Sequence, residues 1–261
     1  MKILVVSDEE SRALWDFYTP DKLEGVEMIL ACGDLKAEYL EFLVTMTNLP
    51  LFYVAGNHDK KYVQYPPEGC VCIDDKVVSY KGVRILGLGG CMRYKEGPYM
   101  YTENQMRYRI RKVSGRILKY RGVDILLTHA AARGYGDMND LPHLGFECFN
   151  SLLYSVKPAY MLHGHVHSSY RAGRFQRIMK HPSGTTIINC FEKYIFEFDE
   201  TQRNKVPFGE LCRNLFKLNP GLQPKTAGHA SPNSEAGPKA DIKSKEPKKA
   251  VKTEQPKTDK K

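Results

Sequence analysis

Apolar residues recur along this chain in short blocks, and most blocks close on a small or polar residue. Ile3-Leu4-Val5-Val6 runs into Ser7-Asp8, Val26–Cys32 into Gly33-Asp34, and Leu51–Ala55 into Gly56-Asn57-His58-Asp59. Short, largely apolar runs with turn residues behind them read as buried strands. Between them the period lengthens to that of a helix. Lys36–Thr47 sets Tyr39, Leu40, Leu43, Val44 and Met46 on one face, and Ser11–Tyr18 spaces Leu14, Trp15 and Tyr18 the same way. Further helices are predicted at 102–120, opened by a Thr102/Gln105 capping box, and at 145–156. Val71–Ile73 and Val77–Tyr80 flank Asp74-Asp75-Lys76 and read as a hairpin. Arg84–Leu88, Val123–Thr128 and Ala159–Leu162 read as single strands, and Phe175–Met179, Thr185–Asn189 and Tyr194–Phe198 as a closing hairpin set.

Strands alternating with helices, then strands alone, argue for an α/β architecture with mixed sheets. In such sheets ligands gather outside the carboxyl ends of the strands. Asp8, Asp34, Asn57, His129 and His165 all fall there.

Length and composition narrow the class. A chain of 261 residues suffices for one large domain or two small ones, and 42% hydrophobic residues is ordinary for a globular protein. No apolar run is long enough to span a bilayer. The apolar core at the amino terminus has only four residues, too short for a signal peptide, so a cytoplasmic protein with no membrane partner is expected. The seven cysteines are odd in number and have no CxxC spacing, which predicts reduced thiols, with Cys32 and Cys190 packed in strands.

The net charge of +9 changes the picture less than its size suggests. Residues 221–261 hold ten lysines against five acids, and the rest of the chain carries only +4. That segment is rich in Lys, Pro, Ala, Ser, Thr and Glu and is expected to be a disordered tail. The reading is therefore a domain at 1–205, a short extension at 206–220 and a tail at 221–261. The helix at 102–120 bears Arg107, Arg109, Arg111, Lys112, Arg116 and Lys119 around an apolar stripe of Met106, Ile110, Val113 and Ile117. These cations are expected mostly on its solvated face, and nucleic acid is not the favoured partner.

The chemistry centres on Met161-Leu162-His163-Gly164-His165-Val166-His167. Neutral imidazole is the commonest metal ligand, and the glycine lets the backbone turn so that two rings can face one point. Taken together, the strand ends supply two aspartates, one asparagine and at least three histidines. This inventory suits two metal ions a few ångströms apart. Such a pair activates a bridging water as nucleophile and clamps a phosphate during in-line displacement. Mixed nitrogen and oxygen donors suit Mn, Fe, Co or Zn.

In this order, Gly33-Asp34, Gly56-Asn57-His58-Asp59, Thr128-His129 and Gly164-His165-Val166-His167 resemble the motifs of the calcineurin-like metallophosphoesterase superfamily over about residues 1–200. The resemblance implies a four-layer α-β-β-α sandwich of two mixed β-sheets flanked by helices. It implies that Asp8 and His167 bind a first metal, Asp34 bridges, and Asn57, His129 and His165 bind a second. It makes His58 the group that contacts the phosphate or protonates the leaving oxygen. The family's first motif is usually Asp-x-His, and here it is Asp8-Glu9-Glu10. Glu10 either serves as a carboxylate ligand, favouring Mn or Fe(II) over Zn, or points away. Beyond these, His143, Arg93 and Tyr94 are candidates for substrate contact, and His163 for a packing role behind the ligands. The expectation is a metallophosphoesterase acting on a phosphomonoester or small phosphodiester, with two divalent transition-metal ions (Mn favoured over Fe or Zn) and a metal-bridging hydroxide as nucleophile. A nuclease and a non-catalytic scaffold that keeps the fold are the competing readings.

Overall fold

The computed structural model describes residues 1–171, 175–203 and 205–218. The expected tail at 221–261, and the last two residues of the expected extension, lie outside the described residues. In chain order the first elements are β1 (Lys2–Ser7), β2 (Val26–Ala31), α1 (Ala37–Thr47), β3 (Leu51–Tyr53), β4 (Val71–Cys72), β5 (Lys76–Tyr80) and β6 (Val83–Leu88). A small ribbon, β7 (Cys91–Met92) and β8 (Met100–Tyr101), precedes α2 (Glu103–Lys119), β9 (Ile125–Thr128), α3 (Glu147–Val156) and β10 (Tyr160–His163). The described chain closes with β11 (Ile178–Lys180), β12 (Thr186–Asn189), β13 (Glu192–Glu197) and α4 (Phe208–Phe216).

Among the described residues the strands form a five-stranded sheet, β13-β1-β2-β3-β4, and a six-stranded sheet, β11-β12-β10-β9-β6-β5, beside the β7–β8 ribbon. Both large sheets are parallel in the middle and antiparallel at an edge: β13 runs against β1, β5 against β6, and β11 against β12. The sequence dictates why two sheets must stack. In β1, Ile3 and Val5 face one way and Leu4 and Val6 the other, and all four are fully buried. A strand apolar on both faces needs cover on both. Ile3, Val5, Met28 and Leu30 meet Ile85, Ile125, Leu127 and Leu162 of the second sheet. Leu4, Val6 and Ile29 pack under Leu40 and Leu43 of α1. Leu86, Leu126 and Met161 pack under α2, α3 and α4. The layers are thus α1, sheet, sheet, and α2 with α3 and α4, the expected four-layer sandwich.

Four local expectations are corrected. Ser11–Tyr18 is a succession of turns rather than a helix. The stretch is short and runs toward Pro20, so a helix there would be all nucleus and no propagation. Leu14 is buried nonetheless, and Trp15 stacks on Tyr39 at 5.1 Å. Val71–Ile73 and Val77–Tyr80 are not a hairpin: β4 pairs with β3 in one sheet and β5 with β6 in the other. Asp74-Asp75 is the crossover, held by Arg109 (Nη2 to Asp74 Oδ1 at 2.5 Å, Nε to Asp75 Oδ1 at 2.8 Å). Arg109 is therefore buried and paired, an exception to the expectation that the cations of α2 lie mostly on its solvated face. In the closing set, β11 and β12 form an antiparallel pair, but β13 crosses to the other sheet. The capping box at the start of α2 is present as expected.

The fully buried Asp124 carboxylate is satisfied entirely by Arg84, whose N–H, Nε and Nη2 donate at 2.8, 2.9 and 2.6 Å. Removing one partner leaves the other charge buried alone. Asp124→Ala is expected to cost about 3 kcal/mol of unfolding free energy, read by urea denaturation with an unchanged slope.

Candidate metal centre

Every candidate ligand stands just past a strand end, and the two sheets contribute equally. Asp8, Asp34 and Asn57 follow β1, β2 and β3; His129 follows β9, and His165 and His167 follow β10. Backbone bonds tie these turns together. Asp8 N–H donates to Gly33 O at 3.1 Å, and Gly164 N–H to His129 O at 3.0 Å. His165 N–H donates to both oxygens of the Asp8 carboxylate at 2.9 Å, a direct link between the sheets.

The turns are strained in a way that aims side chains inward. Asp8 (φ 67°), Asp34 (φ 56°) and His165 (φ 68°) all adopt the left-handed conformation that non-glycine residues avoid. Neighbouring glycines make room. A Cβ on Gly56 would lie 2.2 Å from Asp34 Oδ1, and one on Gly164 would lie 2.2 Å from Asp8 Oδ2. Only hydrogen fits there.

The donor atoms converge. Ligand atoms of Asp34, His129 and His165 lie within 4.8 Å of one another. His129 Nδ1 is 2.8 Å from Cys32 O; a carbonyl only accepts, so Nδ1 carries the proton and Nε2 faces the site. That Nε2 is 3.3 Å from Asp34 Oδ2 and 3.0 Å from Asn57 Oδ1. By the same logic His165 donates Nε2–H to Pro142 O at 2.7 Å, which leaves its Nδ1 lone pair for a metal. His167 Nε2 is 3.8 Å from Asp8 Oδ1.

Charge is frustrated here. Burial pushes the Asp8 carboxyl up to about 6 despite the His129 charge nearby. Burial would also raise Asp34, but His129 and the His58 N–H (2.7 Å to Oδ1) hold it at about 2. Burial opposes the His129 proton, yet Asp34 and Asp8 raise that imidazole to about 9. Burial and the His129 charge lower His165 to about 3, so it is a neutral ligand at pH 7. Two buried carboxylates sharing one imidazolium, with further imidazole lone pairs turned inward, fit a divalent transition metal.

Of the residues singled out from sequence, Asp8, Asp34, Asn57, His58, His165 and His167 line one cleft of about 360 Å3, and fully buried His129 lies against Asp34 beneath it. His143 reaches its wall, with its ring 5.1 Å from that of His165. Glu10 is placed apart: Oε1 accepts Lys36 N–H at 3.0 Å and Oε2 lies 3.6 Å from Lys36 Nζ. Arg93 is also held elsewhere, donating to Gln105 Oε1 at 3.0 Å and Glu96 Oε1 at 3.4 Å, while its neighbour Tyr94 does line the cleft. His163 is buried behind the ligands, with Nδ1 3.0 Å from Gly164 O. Sequence reasoning missed Asp59, whose Oδ2 accepts Gly56 N–H at 2.7 Å and Asp34 N–H at 2.8 Å and so fixes two metal-site turns at once. Its signal was present, as the aspartate closing Gly56-Asn57-His58-Asp59. Tyr170 and Pro142, also on the cleft wall, carried none.

The model of the calcineurin-like phosphoesterase superfamily domain matches residues 1–190. The chain belongs to this superfamily. No curated protein matches it. The crystal structure of TT1561 of Thermus thermophilus superposes with a TM-score of 0.51 at 16% identity, over 73% of this chain and 89% of that one, and shows the shared fold. A novel archaeal phosphodiesterase gives 0.38 at 15% identity, covering 78% and 96%; Vps29 of Chaetomium thermophilum gives 0.33 at 14%, covering 72% and 69%.

For this calcineurin-like site two outcomes are expected. Gly56→Ala displaces Asp34 and His129 and lowers Mn2+ affinity at least about tenfold by calorimetry, with the fold retained by circular dichroism. Because a metal must displace the proton that His129 holds up to about pH 9, affinity rises with pH over that range. Calorimetry in buffers of different ionisation enthalpy should show about one proton released near neutral pH.

Proposed function

We propose that this protein is a metal-dependent phosphoesterase that hydrolyses a phosphomonoester or a small phosphodiester by direct attack of water. The observation that carries this reading is the convergence of two buried carboxylates, an asparagine amide and three imidazoles from the ends of two sheets, around an open cleft that holds one exposed histidine. Two divalent ions held by Asp8, His167, Asp34, Asn57, His129 and His165 would supply an activated water and neutralise phosphoryl charge, with Mn favoured over Fe or Zn. The chain's own groups do the rest. Asp8 and Asp34 hold fixed negative charge where it is compensated only by cations. The Asp34 carboxylate also anchors the His58 backbone at 2.7 Å, so the imidazole stands in the cleft on a rigid turn. There it donates a hydrogen bond to the phosphate and gives a proton to the departing oxygen. The water oxygen bonds to phosphorus, the bond from phosphorus to the departing alcohol breaks, and the alcohol leaves with the proton from His58.

The scaffold reading draws on Glu10, whose pairing with Lys36 leaves the Asp8–His167 half without a third protein ligand of its own. Metal stoichiometry with turnover separates the two. About two metals per chain, and hydrolysis of aryl phosphate esters in Mn2+, are expected for the enzyme. His58→Ala is expected to lower kcat about 100-fold with metal content unchanged, and Asp34→Ala to lose both metal and turnover. Bound metal with no turnover of either ester class would leave the scaffold.

A further inference from the structure

Between β9 and α3 the chain makes a long excursion, residues 133–145, that reaches the cleft. Its base is tied to the strand end that carries His129: Phe146 N–H donates to Ala131 O at 3.1 Å, and Arg133 N–H to Phe146 O at 3.2 Å. Asp137 braces it from within, where Oδ1 accepts Gly134 N–H at 2.8 Å and Oδ2 accepts Gly145 N–H at 3.1 Å. Nearer the tip, Met138 N–H donates to His143 O at 3.1 Å. A loop closed on its own bonds presents its side chains from a fixed frame. Two consecutive residues of that frame, Pro142 and His143, line the cleft. Pro142 O has its partner in His165 Nε2–H. His143 lies in none of the four motifs that carry the ligands and His58.

Three contacts aim the His143 ring. Nδ1 lies 2.5 Å from Asp140 Oδ2. Burial would raise the Asp140 carboxyl, but the His143 hydrogen bond brings it below its usual range. It is therefore a carboxylate near neutral pH and only accepts, so Nδ1 carries the proton. The ring also packs against His165 (5.1 Å, 41°) and Tyr170 (5.1 Å, 59°). The side chains of His143 and Asp140 are 22% and 45% exposed, so their pairing adds little to stability. What it fixes is direction. With Nδ1 committed to Asp140, Nε2 is the ring atom left for a ligand. Two imidazoles thus reach one cleft from different sheets, His58 from the turn after β3 and His143 from the loop after β9.

We infer that His143 is a second catalytic imidazole of this cleft, whose Nε2–H donates to a phosphoryl oxygen, and that Asp140 is its positioning residue. The inference rests on the phosphoesterase reading of the same cleft. An imidazole set between a carboxylate and a phosphate has an acceptor at each nitrogen and bridges the two, Nδ1–H to Asp140 and Nε2–H to the phosphoryl oxygen. His143 gives up no proton in this role; the departing alcohol takes its proton from His58. A ring clamped by a carboxylate and two flanking rings suits a fixed donor, which meets the charge on the phosphoryl oxygens without reorganising. Asp140 never touches the substrate and acts only through the direction it gives the ring.

The test uses the Mn2+-loaded full chain, with p-nitrophenyl phosphate and bis(p-nitrophenyl) phosphate for turnover and inorganic phosphate for calorimetry. His143→Ala is expected to lower kcat/KM about 30-fold and phosphate affinity about tenfold, the worth of one hydrogen bond to a charged group. Mn2+ affinity should stay within about twofold, since no metal ligand is removed. His143→Gln keeps a neutral donor near Nε2 and should recover about half of the loss on a logarithmic scale. Asp140→Ala is expected to cost about fivefold in kcat/KM in the unmutated background and nothing further beside His143→Ala, because the two act as one unit. Unchanged kcat/KM and phosphate affinity in His143→Ala would overturn the contact and leave the phosphoesterase standing. A fall in Mn2+ affinity of about tenfold or more would overturn it too, reducing His143 to a prop for the His165 ring. An Asp140→Ala loss that is the same in both backgrounds would overturn the positioning role. No turnover of either ester by the unmutated protein, with phosphate binding still weakened in His143→Ala, would keep the anion contact and overturn the phosphoesterase.

Discussion

The contact between Asp34 and His129 is the constraint around which the molecule is arranged. It joins the end of β2 in one sheet to the end of β9 in the other at 3.3 Å, in a place where neither side chain has free access to water. Each group alone would be driven neutral by burial. Facing one another they keep opposite charges, Asp34 at about 2 and His129 at about 9. The pair fixes how far apart the carboxyl ends of the sheets can stand. It also explains why the site is unfinished without a cation: Asp8, fully buried beside it, shares the same imidazolium and is pushed up to about 6. A divalent ion resolves that conflict better than a proton, because it can be shared by both carboxylates and several neutral imidazoles at once.

Holding three residues in the left-handed region beside one another costs stability, of order 1–3 kcal/mol each. The surrounding packing has to hold them there. The strands that carry them are deeply buried: Ile3 to Val6, Met28 to Ala31, and Met161 with Leu162 are all at zero exposure. The turns themselves are cross-bonded, with Asp59 receiving N–H groups from two of them. A helical arrangement would not deliver this. Parallel neighbouring strands end at one edge, so short loops from several of them meet at one point, and two such sheets double the number of donors.

The sequence told most where one local rule was enough. Apolar runs ending on Asp, Asn or His located the centre, because burial and exit from a strand are both written in a few consecutive residues. The Thr102/Gln105 box located the start of α2 for the same reason. Errors arose where pairing partners are far apart in the chain. β4 and β5 are separated by a few residues yet belong to different sheets, and β13 turns from its hairpin neighbours to reach β1. Nothing in Asp74-Asp75-Lys76 distinguishes a turn from a crossover; Arg109, some 34 residues on, decides it. The same holds at the site. The ligands were legible as motifs, but the cleft walls were not, since Tyr170 and Pro142 matter only through where their loops lie.

Glu10 shows how a position can pass from chemistry to architecture. The family pattern places an imidazole here, and this chain places a carboxylate that accepts the N–H of Lys36 and pairs with its ammonium. Lys36 is the N-cap of α1 and has no side-chain cap of its own. A negative group at a helix amino terminus satisfies a free donor and meets the positive end of the helix dipole. A neutral imidazole would do this poorly, and a carboxylate turned toward the metals would abandon it. Glu10, two residues past Asp8 in the loop after β1, is thus bound to α1 rather than turned to the cleft. On the assignment that the family resemblance implies, Asp8 and His167 would be left as the ligands of that half, with Asp34 shared. Such a centre would be asymmetric: the half built on His129, His165 and Asn57 would have most of the neutral donors, and the Asp8 half fewer, beside His167 and the Tyr170 ring stacked on it.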